Sequence, residues 1–278
     1  MTRKTVLFVP VLAEKHLAKA SERGADAIVL DLEDSIAPDS KLKARESLGD
    51  AVAFLKKNNT EVWVRVNNMP ELLAADLAAT VQDGVNGVMI SKVERALGLT
   101  SITSEISRLE TARGMAANHT GICATLETPA GVLAAASIAA VPRLKALAFG
   151  GEDFAASLGI EPRHSALKAP GQMVVLAAAS QGLESWGVIG SIANHSNMTR
   201  FAREVRLSRA LGTTTVICIH PKQVETANAI FNDAADKAWA EDVIRTYDAA
   251  KARGEGSISV DGQMIDEAVY VRAKKMLE

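Results

Sequence analysis

The sequence lacks the features that mark several large protein classes. It has two cysteines among 278 residues, and its net charge of −2 leaves no basic excess. We therefore expect no disulfide framework and no surface suited to nucleic acid or to an anionic membrane. No apolar run approaches the roughly 18 residues that a membrane-spanning helix needs. These absences leave a globular protein that acts on small molecules or on other proteins.

The compartment is predicted from the cysteines and from the N-terminus. Cys123 and Cys218 lie inside apolar runs, which favours two buried thiols in a reducing compartment. The first residues, MTRKTVLFVPVLA, have the basic start and apolar stretch of a secretion signal. Pro10 interrupts the apolar stretch, however, and an amphipathic helix pattern follows directly. We expect a cytoplasmic protein whose first strand lies in this segment.

The chain alternates short β-rich runs with helical patterns. The predicted strands are 5–11, 27–32, 61–67, 87–93, 121–127, 144–150, 185–192 and 215–221. The predicted helices between them include 40–57, 71–82, 101–117, 130–140, 170–181 and 197–211. Eight such units predict an α/β fold, a (β/α)8 TIM barrel. The alternative, a doubly wound sheet, usually has a glycine-rich phosphate loop after its first strand, and this sequence has none there.

The last part of the chain does not fit the alternation. We predict a barrel domain over residues 1–232 and a C-terminal extension, a short helical lid, over 233–278. The extension holds a helix pattern at 236–252, a glycine-bearing segment and a final short helix. It is too small to fold alone, so we expect it to pack on the barrel or on a neighbouring subunit.

Charged side chains collect where the predicted strands end. In (β/α)8 barrels these ends meet at one mouth, where the chemistry takes place. The polar residues at these ends are Asp31, Glu33, Asp34, Arg65, Asn67, Lys92, Glu94, Glu127, Glu152, Asp153 and His220. Carboxylates crowded together need a cation, and oxygen ligands suit Mg²⁺, or Mn²⁺ as its alternative, rather than zinc. The sequence therefore predicts a divalent-metal site at the mouth.

The strongest candidates also have structural alternatives. Glu127 could serve only the electrostatics of the helix start that follows it, and Asp153 could be an N-cap. Glu33 and Asp34 could cap the next helix or pair with nearby lysines. Arg65, in an otherwise apolar strand, needs a counter-charge or a substrate anion.

Two further residue types receive structural interpretations. Lys92 is predicted to pair with Glu94 or another carboxylate, in preference to acting as a Schiff-base lysine. His195 and His220 are interpreted as hydrogen-bonding residues at loops or strand ends rather than as catalytic groups.

Seven segments in order resemble a known family. LFVPVLAEKHLAKASERGADAIVLDLEDSIAPDSKLKAR, WVRVN, ISKVE, ATLETPAG, LAFGGEDFAASLGI, CIHPKQV and VDGQMID resemble the citrate lyase β-subunit-like group of the HpcH/HpaI aldolase family, related to malyl-CoA and citramalyl-CoA lyases. The resemblance implies a (β/α)8 barrel that binds Mg²⁺ through Glu127 and Asp153. It further implies that Glu33 and Asp34 hold waters on the metal and that Arg65 contacts the reacting oxygens. Asp266 would reach the site of a neighbouring subunit, in a homotrimer or hexamer.

Some segments depart from that family's pattern. Val11 stands where relatives have glycine, with Lys15 near the expected basic position, and Ser91 replaces a common proline. The sequence GSIANHSN follows strand seven in place of an aspartate-rich stretch, and GTTTV precedes strand eight. These segments line the region where relatives bind the thioester carrier. Whether the carrier is CoA, an acyl carrier protein or none is therefore left open.

The expected function is a Mg²⁺-dependent carbon–carbon lyase. It would cleave or form a 3-hydroxy acyl thioester, such as citryl-, malyl- or citramalyl-CoA, giving a 2-oxo acid and an acetyl-type thioester. Arg65, Asp266, Glu33 and Asp34 are the predicted catalytic residues, and Arg65, Lys15 and Asn67 the predicted substrate contacts. Two alternatives remain: a metal-dependent 2-oxo-acid aldolase without thioester, and a catalytically quiet relative that binds a metabolite or a partner. Citrate lyase-type partner subunits also remain open.

Overall fold

Eight parallel strands form the central sheet of the described part of the chain. The computed structural model describes residues 3–260 and 262–277. The strands are β1 (Thr5–Pro10), β2 (Ala27–Asp31), β3 (Glu61–Val66), β4 (Gly87–Ile90), β5 (Gly121–Leu126), β6 (Leu144–Phe149), β7 (Glu184–Gly187) and β8 (Val216–Cys218). Each lies within or beside a predicted strand, because buried β-rich runs bounded by turns carry a clear signal.

Helices follow the strands along the chain. They are α1 (Glu14–Leu17), α2 (Lys41–Lys57), α3 (Pro70–Thr80), α4 (Ala96–Ala112), α5 (Pro129–Leu133), α6 (Ala135–Ala139), α7 (Gly151–Leu158), α8 (His164–Ser180), α9 (Met198–Ala210), α10 (Pro221–Phe231), α11 (Ala234–Ala252) and α12 (Glu267–Leu277). The predicted start of α8 at residue 170 is wrong, because Pro170 lies inside the helix. Buried Leu167 and a 2.6 Å contact between His164 Nδ1 and the Ile189 carbonyl anchor its earlier turns.

The sheet closes on itself, as a barrel requires. The hydrogen-bonded strand order is β7-β6-β5-β4-β3-β2-β1-β8. Between β7 and β8, Trp186 forms a parallel bridge with Thr215, and the Gly187 N–H donates to the Thr215 carbonyl at 2.8 Å. The predicted (β/α)8 barrel is thus confirmed.

Side chains fill the barrel interior, so it is a packed core and not a pore. Trp63 and Trp186 meet edge to face with ring centroids 4.9 Å apart. A side chain at Gly87 would place its Cβ 2.3 Å from the Trp63 ring, so glycine makes the room that the indole fills. The guanidinium of Arg3 lies 5.3 Å from the Trp63 ring and pairs with Glu61 and Glu184 at 2.6 and 2.8 Å.

The described residues form two compact units, one from residue 3 to 227 and one from residue 228 onward. In the second unit, α11 packs on α12 beside a hairpin of β9 (Ile258–Val260) and β10 (Gln263–Ile265). Its small core includes Tyr247 and Tyr270, whose rings lie 5.1 Å apart. The proposed boundary at 232/233 stays a prediction.

Two expectations from composition can be compared with the structure. Cys123 and Cys218 are free and fully buried, as predicted. Burial raises the pKa of the Cys123 thiol well above its usual value, which makes it a poor nucleophile. Within residues 3–260 and 262–277, none of the helices has the length and apolarity to cross a membrane.

Candidate functional site

Arg65 is the central cation at the carboxyl ends of the strands. β2 and β3 place it in register with Asp31, and the two form a bidentate pair, Nε to Oδ1 and Nη2 to Oδ2, each 2.7 Å. Its guanidinium lies 5.0 Å from the Phe8 ring. Burial disfavours the charge, but the Asp31 hydrogen bonds and the negative charges around it together keep the pKa of Arg65 above its ordinary value. Arg65 is therefore permanently charged and fixed in orientation.

Asp31 is the acidic residue at the end of the apolar strand β2, and its contacts explain why an acid is found there. It is buried, yet it also accepts hydrogen bonds from the N–H groups of Glu33 and Ser35 at 3.0 and 3.1 Å. Burial opposes its ionisation, but the Arg65 pair and these N–H groups hold the pKa of Asp31 below its ordinary value. Asp31 is a positioning partner of Arg65, a role that the sequence did not distinguish from those of the acids after it.

Among the described contacts, Arg65 keeps two N–H groups without a hydrogen-bond acceptor, one on Nη1 and one on Nη2. Asp31 takes Nε–H and one N–H of Nη2, while Asp34 Oδ2 accepts from Nη1 at 3.1 Å. Glu33 Oε2 lies 2.8 Å from Nη1, although the geometry does not make a hydrogen bond. Within the described contacts, the second N–H of Nη2 thus has no protein partner, and Arg65 can donate it to a substrate oxygen.

Glu33 joins Arg65 to Lys92. Its Oε1 accepts from Lys92 Nζ at 2.8 Å, and the side chain is 9% exposed. Burial raises the pKa of Glu33, an effect that Arg65 and Lys92 partly offset. Burial lowers the pKa of Lys92, but the Glu33 hydrogen bond and the charges of the nearby carboxylates together outweigh it and leave this pKa raised. Lys92 therefore stays an ammonium ion, which agrees with the predicted ion pair and not with a Schiff base.

Glu127 follows β5 directly and is 3% exposed. Its Oε1 accepts the Lys92 backbone N–H at 2.7 Å, for which Lys92 adopts a left-handed φ of 50°. A Cβ on Gly150 would lie 2.4 Å from Glu127 Oε2, so glycine at the end of β6 makes room for this carboxylate. Burial and the nearby charge of Asp153 raise the pKa of Glu127 to about 8. The ionised form of this carboxyl therefore lacks a counter-charge within the protein, and a bound cation would supply one.

Asp153 and Glu152 lie in the first turn of α7 but have different surroundings. Glu152 Oε1 accepts from Ser191 Oγ at 2.5 Å and from the Ala193 N–H at 3.2 Å, so it fixes the loop after β7. Asp153 faces the same cavity as Glu127. The sequence did not single out Ser191, because a serine in a polar loop does not indicate an acidic partner on a distant helix.

A cavity of about 260 Å³ lies at this end of the barrel. Its polar wall contains Asp34, Arg65, Glu127, Glu152 and Asp153. Its apolar wall includes Phe8, Met89, Phe149, Val188, Ile192, Ile217 and Ile219. The strands thus bring together five of the predicted strand-end residues around one space.

The donor set fits a hard divalent cation with few protein ligands. Among the described residues, no cluster of three or more His, Cys, Asp or Glu side chains has the arrangement of a metal site. Mg²⁺ commonly takes one or two carboxylates and completes its shell with water and substrate oxygens. Glu127 and Asp153 suit that pattern, and Glu33 Oε2 is a buried oxygen without a hydrogen-bond donor.

Three other predicted residues have different surroundings. Asn67 Nδ2 donates to Asp76 Oδ2 at 2.6 Å and to the Leu32 carbonyl at 2.9 Å. Asn67 Oδ1 accepts from Lys41 Nζ at 2.9 Å. Lys15 is exposed on α1 and is not among the described residues lining the cavity. Asp266 Oδ1 accepts the Val269 N–H at 3.1 Å, which makes it a cap of α12. Their predicted roles in binding and catalysis stay predictions.

The two histidines contact each other near the cavity. The rings of His195 and His220 are stacked, with centroids 4.8 Å apart and planes 7° from parallel. His220 Nδ1 accepts the Lys222 N–H at 3.2 Å. Burial, together with the charges of His195 and Lys222, lowers the pKa of His220. The pair holds the β7–α9 loop beside β8, consistent with the structural interpretation.

Known proteins resemble this chain along most of its length. The profile of the HpcH/HpaI aldolase/citrate lyase family matches residues 4–221. The (3S)-malyl-CoA thioesterase of Cereibacter sphaeroides is 32% identical over 279 residues, which cover 99% of this chain and 93% of that protein. Citrate lyase subunit beta of Escherichia coli is 32% identical over 281 residues, which cover 99% and 92%.

A solved structure has the same fold. The CitE protein of Mycobacterium tuberculosis, crystallised in complex with magnesium, acetoacetate and coenzyme A, superposes with a TM-score of 0.78 at 26% identity. The match covers 99% of this chain and 97% of that one.

Proposed function

This chain belongs to the HpcH/HpaI aldolase/citrate lyase family, and from that premise we propose that it is a Mg²⁺-dependent carbon–carbon lyase. Its substrate would be a 3-hydroxy acyl thioester, cleaved to or formed from a 2-oxo acid and an acetyl-type thioester. The observation that carries the proposal is the cavity in which Glu127 and Asp153 face Arg65. The magnesium and coenzyme A in the CitE structure support it.

Glu127 and Asp153 would hold the metal. Mg²⁺ bound there supplies Lewis-acid stabilisation of negative charge on substrate oxygens. The raised pKa of Glu127 supports this role, because burial and Asp153 destabilise its ionised form and a cation would stabilise it. Manganese would satisfy the same oxygen ligands.

Arg65 would hold the oxygen on which charge develops. Cleavage breaks the bond between the hydroxyl-bearing carbon and the carbon beside the thioester. The hydroxyl gives up its proton, the hydroxyl-bearing carbon becomes the keto carbon, and the thioester fragment leaves as an enolate that takes up a proton. The free N–H of Arg65 Nη2 can donate to the enolate oxygen. Removal of one such donor typically raises the activation free energy by about 3–4 kcal/mol.

A carboxylate must move the proton, and two are proposed for this role. Asp34 lines the cavity and is half-exposed, next to Arg65. Asp266 would act from a second copy of the chain, in a homotrimer or hexamer. Buried Glu33 would orient Arg65 and Lys92 rather than meet the substrate. A cytoplasmic location and an optional set of citrate lyase-type partner subunits belong to the same proposal.

Thioester hydrolysis is the second candidate, because one relative of 32% identity is a malyl-CoA thioesterase. The two reactions differ in their products. A lyase gives a 2-oxo acid and an acetyl thioester, whereas a hydrolase gives the free 3-hydroxy acid and the thiol.

The test is turnover of malyl- and citramalyl-CoA with Mg²⁺, followed by trapping of the 2-oxo acid as a hydrazone. We expect product with the wild type and none with Asp153→Asn. Glu94→Gln is the matched control, since Glu94 is an exposed acid after β4 that is not among the described residues lining the cavity. Equal activity of Asp153→Asn and Glu94→Gln would contradict the metal assignment.

A further inference from the structure

We infer, resting on the proposed function, that this chain prefers 2-oxo acids with an apolar substituent over a dicarboxylic one such as oxaloacetate. The inference comes from the apolar side chains that line the same cavity as the proposed metal ligands. Ile192 and Ile219 come from the loops after β7 and β8, and Phe149, Val188 and Ile217 continue the surface. A substituent on the keto carbon that points away from the polar wall meets these side chains.

The charges around the cavity disfavour a second substrate carboxylate. Among the described lining residues, Arg65 is the one cation, against the carboxylates of Asp34, Glu127, Glu152 and Asp153. Arg65 is already paired with Asp31 and flanked by Glu33 and Asp34. A metal on Glu127 and Asp153 would serve the carboxylate next to the keto group. A second carboxylate would face apolar side chains and negative charge without a partner.

The backbone N–H groups on either side of Ile192 already have acceptors within the protein. The Ser191 N–H is bonded to Glu204 at 3.2 Å, and the Ala193 N–H is bonded to Glu152 at 3.2 Å. The Ile192 carbonyl accepts from Gln223 at 2.8 Å. These contacts hold residues 191–193 on both sides, so Ile192 is presented by a preformed loop. An alkyl group gains by leaving water against such a surface, whereas a charged group loses its hydration.

The size of the cavity allows a substituent of either kind, so charge and not volume decides between them. A cavity of about 260 Å³ is large for the metal-binding head group of a 2-oxo acid alone. It leaves room for an ethyl or isopropyl substituent. The segment GSIANHSN after β7 supplies Ile192.

The experiment is condensation of acetyl-CoA with a panel of 2-oxo acids at equal concentration and saturating Mg²⁺. In this direction the acetyl methyl carbon loses a proton and bonds to the keto carbon, whose oxygen gains a proton. The panel is glyoxylate, pyruvate, 2-oxobutyrate, 3-methyl-2-oxobutanoate and oxaloacetate. We expect kcat/KM for 2-oxobutyrate to exceed that for oxaloacetate about tenfold or more. A preference for oxaloacetate, or equal values, overturns the inference.

Variants of the wall test its cause. Ile192→Lys supplies a cation, so the 2-oxobutyrate to oxaloacetate ratio should fall about tenfold or more. Ile219→Lys, at a position that is 42% exposed, tests the same point if the first variant does not fold. Ile160→Lys is the matched control, because Ile160 is 41% exposed and is not among the described lining residues. An unchanged ratio in the folded wall variants overturns the inference.

Binding without a thioester separates this inference from the lyase proposal. The melting temperature of the wild type with Mg²⁺ should rise more with 2-oxobutyrate than with oxaloacetate. If that ranking holds while no 2-oxo acid condenses, the wall preference stands and the lyase proposal fails. If no 2-oxo acid shifts the melting temperature, or oxaloacetate shifts it most, the inference is wrong.

Discussion

Glu127→Gln should remove a pH-dependent destabilisation from the metal-free protein. Burial and the Asp153 charge raise the Glu127 pKa from 4.5 to about 8. Between these values the native state binds one more proton at this site than the unfolded state, so stability falls as the pH rises. At 1.36 kcal/mol per pKa unit, the full loss above the native pKa is about 5 kcal/mol. Glutamine keeps the shape and carries no charge, so the variant should escape this loss.

The assay is denaturant unfolding in the presence of a chelator, from about pH 5 to about pH 8.5. The stability of Glu127→Gln minus that of the wild type should grow steadily across this range. Glu94→Gln, which changes an exposed acid, should show no such trend. A wild-type and Glu127→Gln difference that stays constant with pH would refute the reasoning, because it would mean that Glu127 titrates normally.

The same pKa predicts how Mg²⁺ binding depends on pH. A ligand carboxylate must be deprotonated, so binding should release a proton below the Glu127 pKa. Mg²⁺ affinity should then rise about tenfold per pH unit until about pH 8 and level off above it. Calorimetry in buffers of different ionisation enthalpy would measure the proton release. Affinity that does not change across this range would contradict a Mg²⁺ ligand with a raised pKa at Glu127.

Three further predictions concern Arg65, Arg143 and Asp266. Arg65→Lys should lower kcat about a hundredfold and also lower the melting temperature, since lysine cannot form the bidentate Asp31 pair; an active and equally stable variant would contradict this. Arg143→Ala should cost about 3–5 kcal/mol in denaturant unfolding, because it leaves Glu110 buried at 2% exposure without its cation; a loss below about 1 kcal/mol would show that the pair is not needed. Asp266→Asn should leave stability unchanged, as asparagine also caps helices, while turnover is abolished if Asp266 moves a proton; full turnover would reduce it to the cap.

The polar residues at the strand ends could be predicted from the sequence, because buried β-rich runs show where each strand lies and ends. A parallel barrel gathers the ends of its strands, so Arg65, Glu127 and Asp153 could be placed at one mouth from the order of segments alone. The pairing among these charges was harder to predict. Lys92 pairs with Glu33 and not with its neighbour Glu94. Which carboxylate pairs with Lys92 depends on the left-handed backbone conformation at Lys92, and nothing in the sequence ISKVE predicts that conformation.

The contacts made by the loops after the strands were the hardest part of the site to predict from the sequence. Ser191 meets Glu152 only because the β7–α9 loop folds back over α7, and polar loop sequences do not specify such a path. Asn67 looked like a site residue from its position, but its side chain joins Leu32 to Asp76. Position at a strand end therefore predicts nearness to the site, and side-chain contacts decide the role.

The central claim is tested most directly by product analysis of a single turnover. Malyl- or citramalyl-CoA is mixed with excess enzyme and Mg²⁺, and all products are quantified by mass spectrometry. The proposed lyase gives the 2-oxo acid and acetyl-CoA in equal amounts, and none of either with Asp153→Asn. Free 3-hydroxy acid and CoA as the enzyme-dependent products, or no turnover of either substrate, would contradict carbon–carbon cleavage as the activity of this cavity.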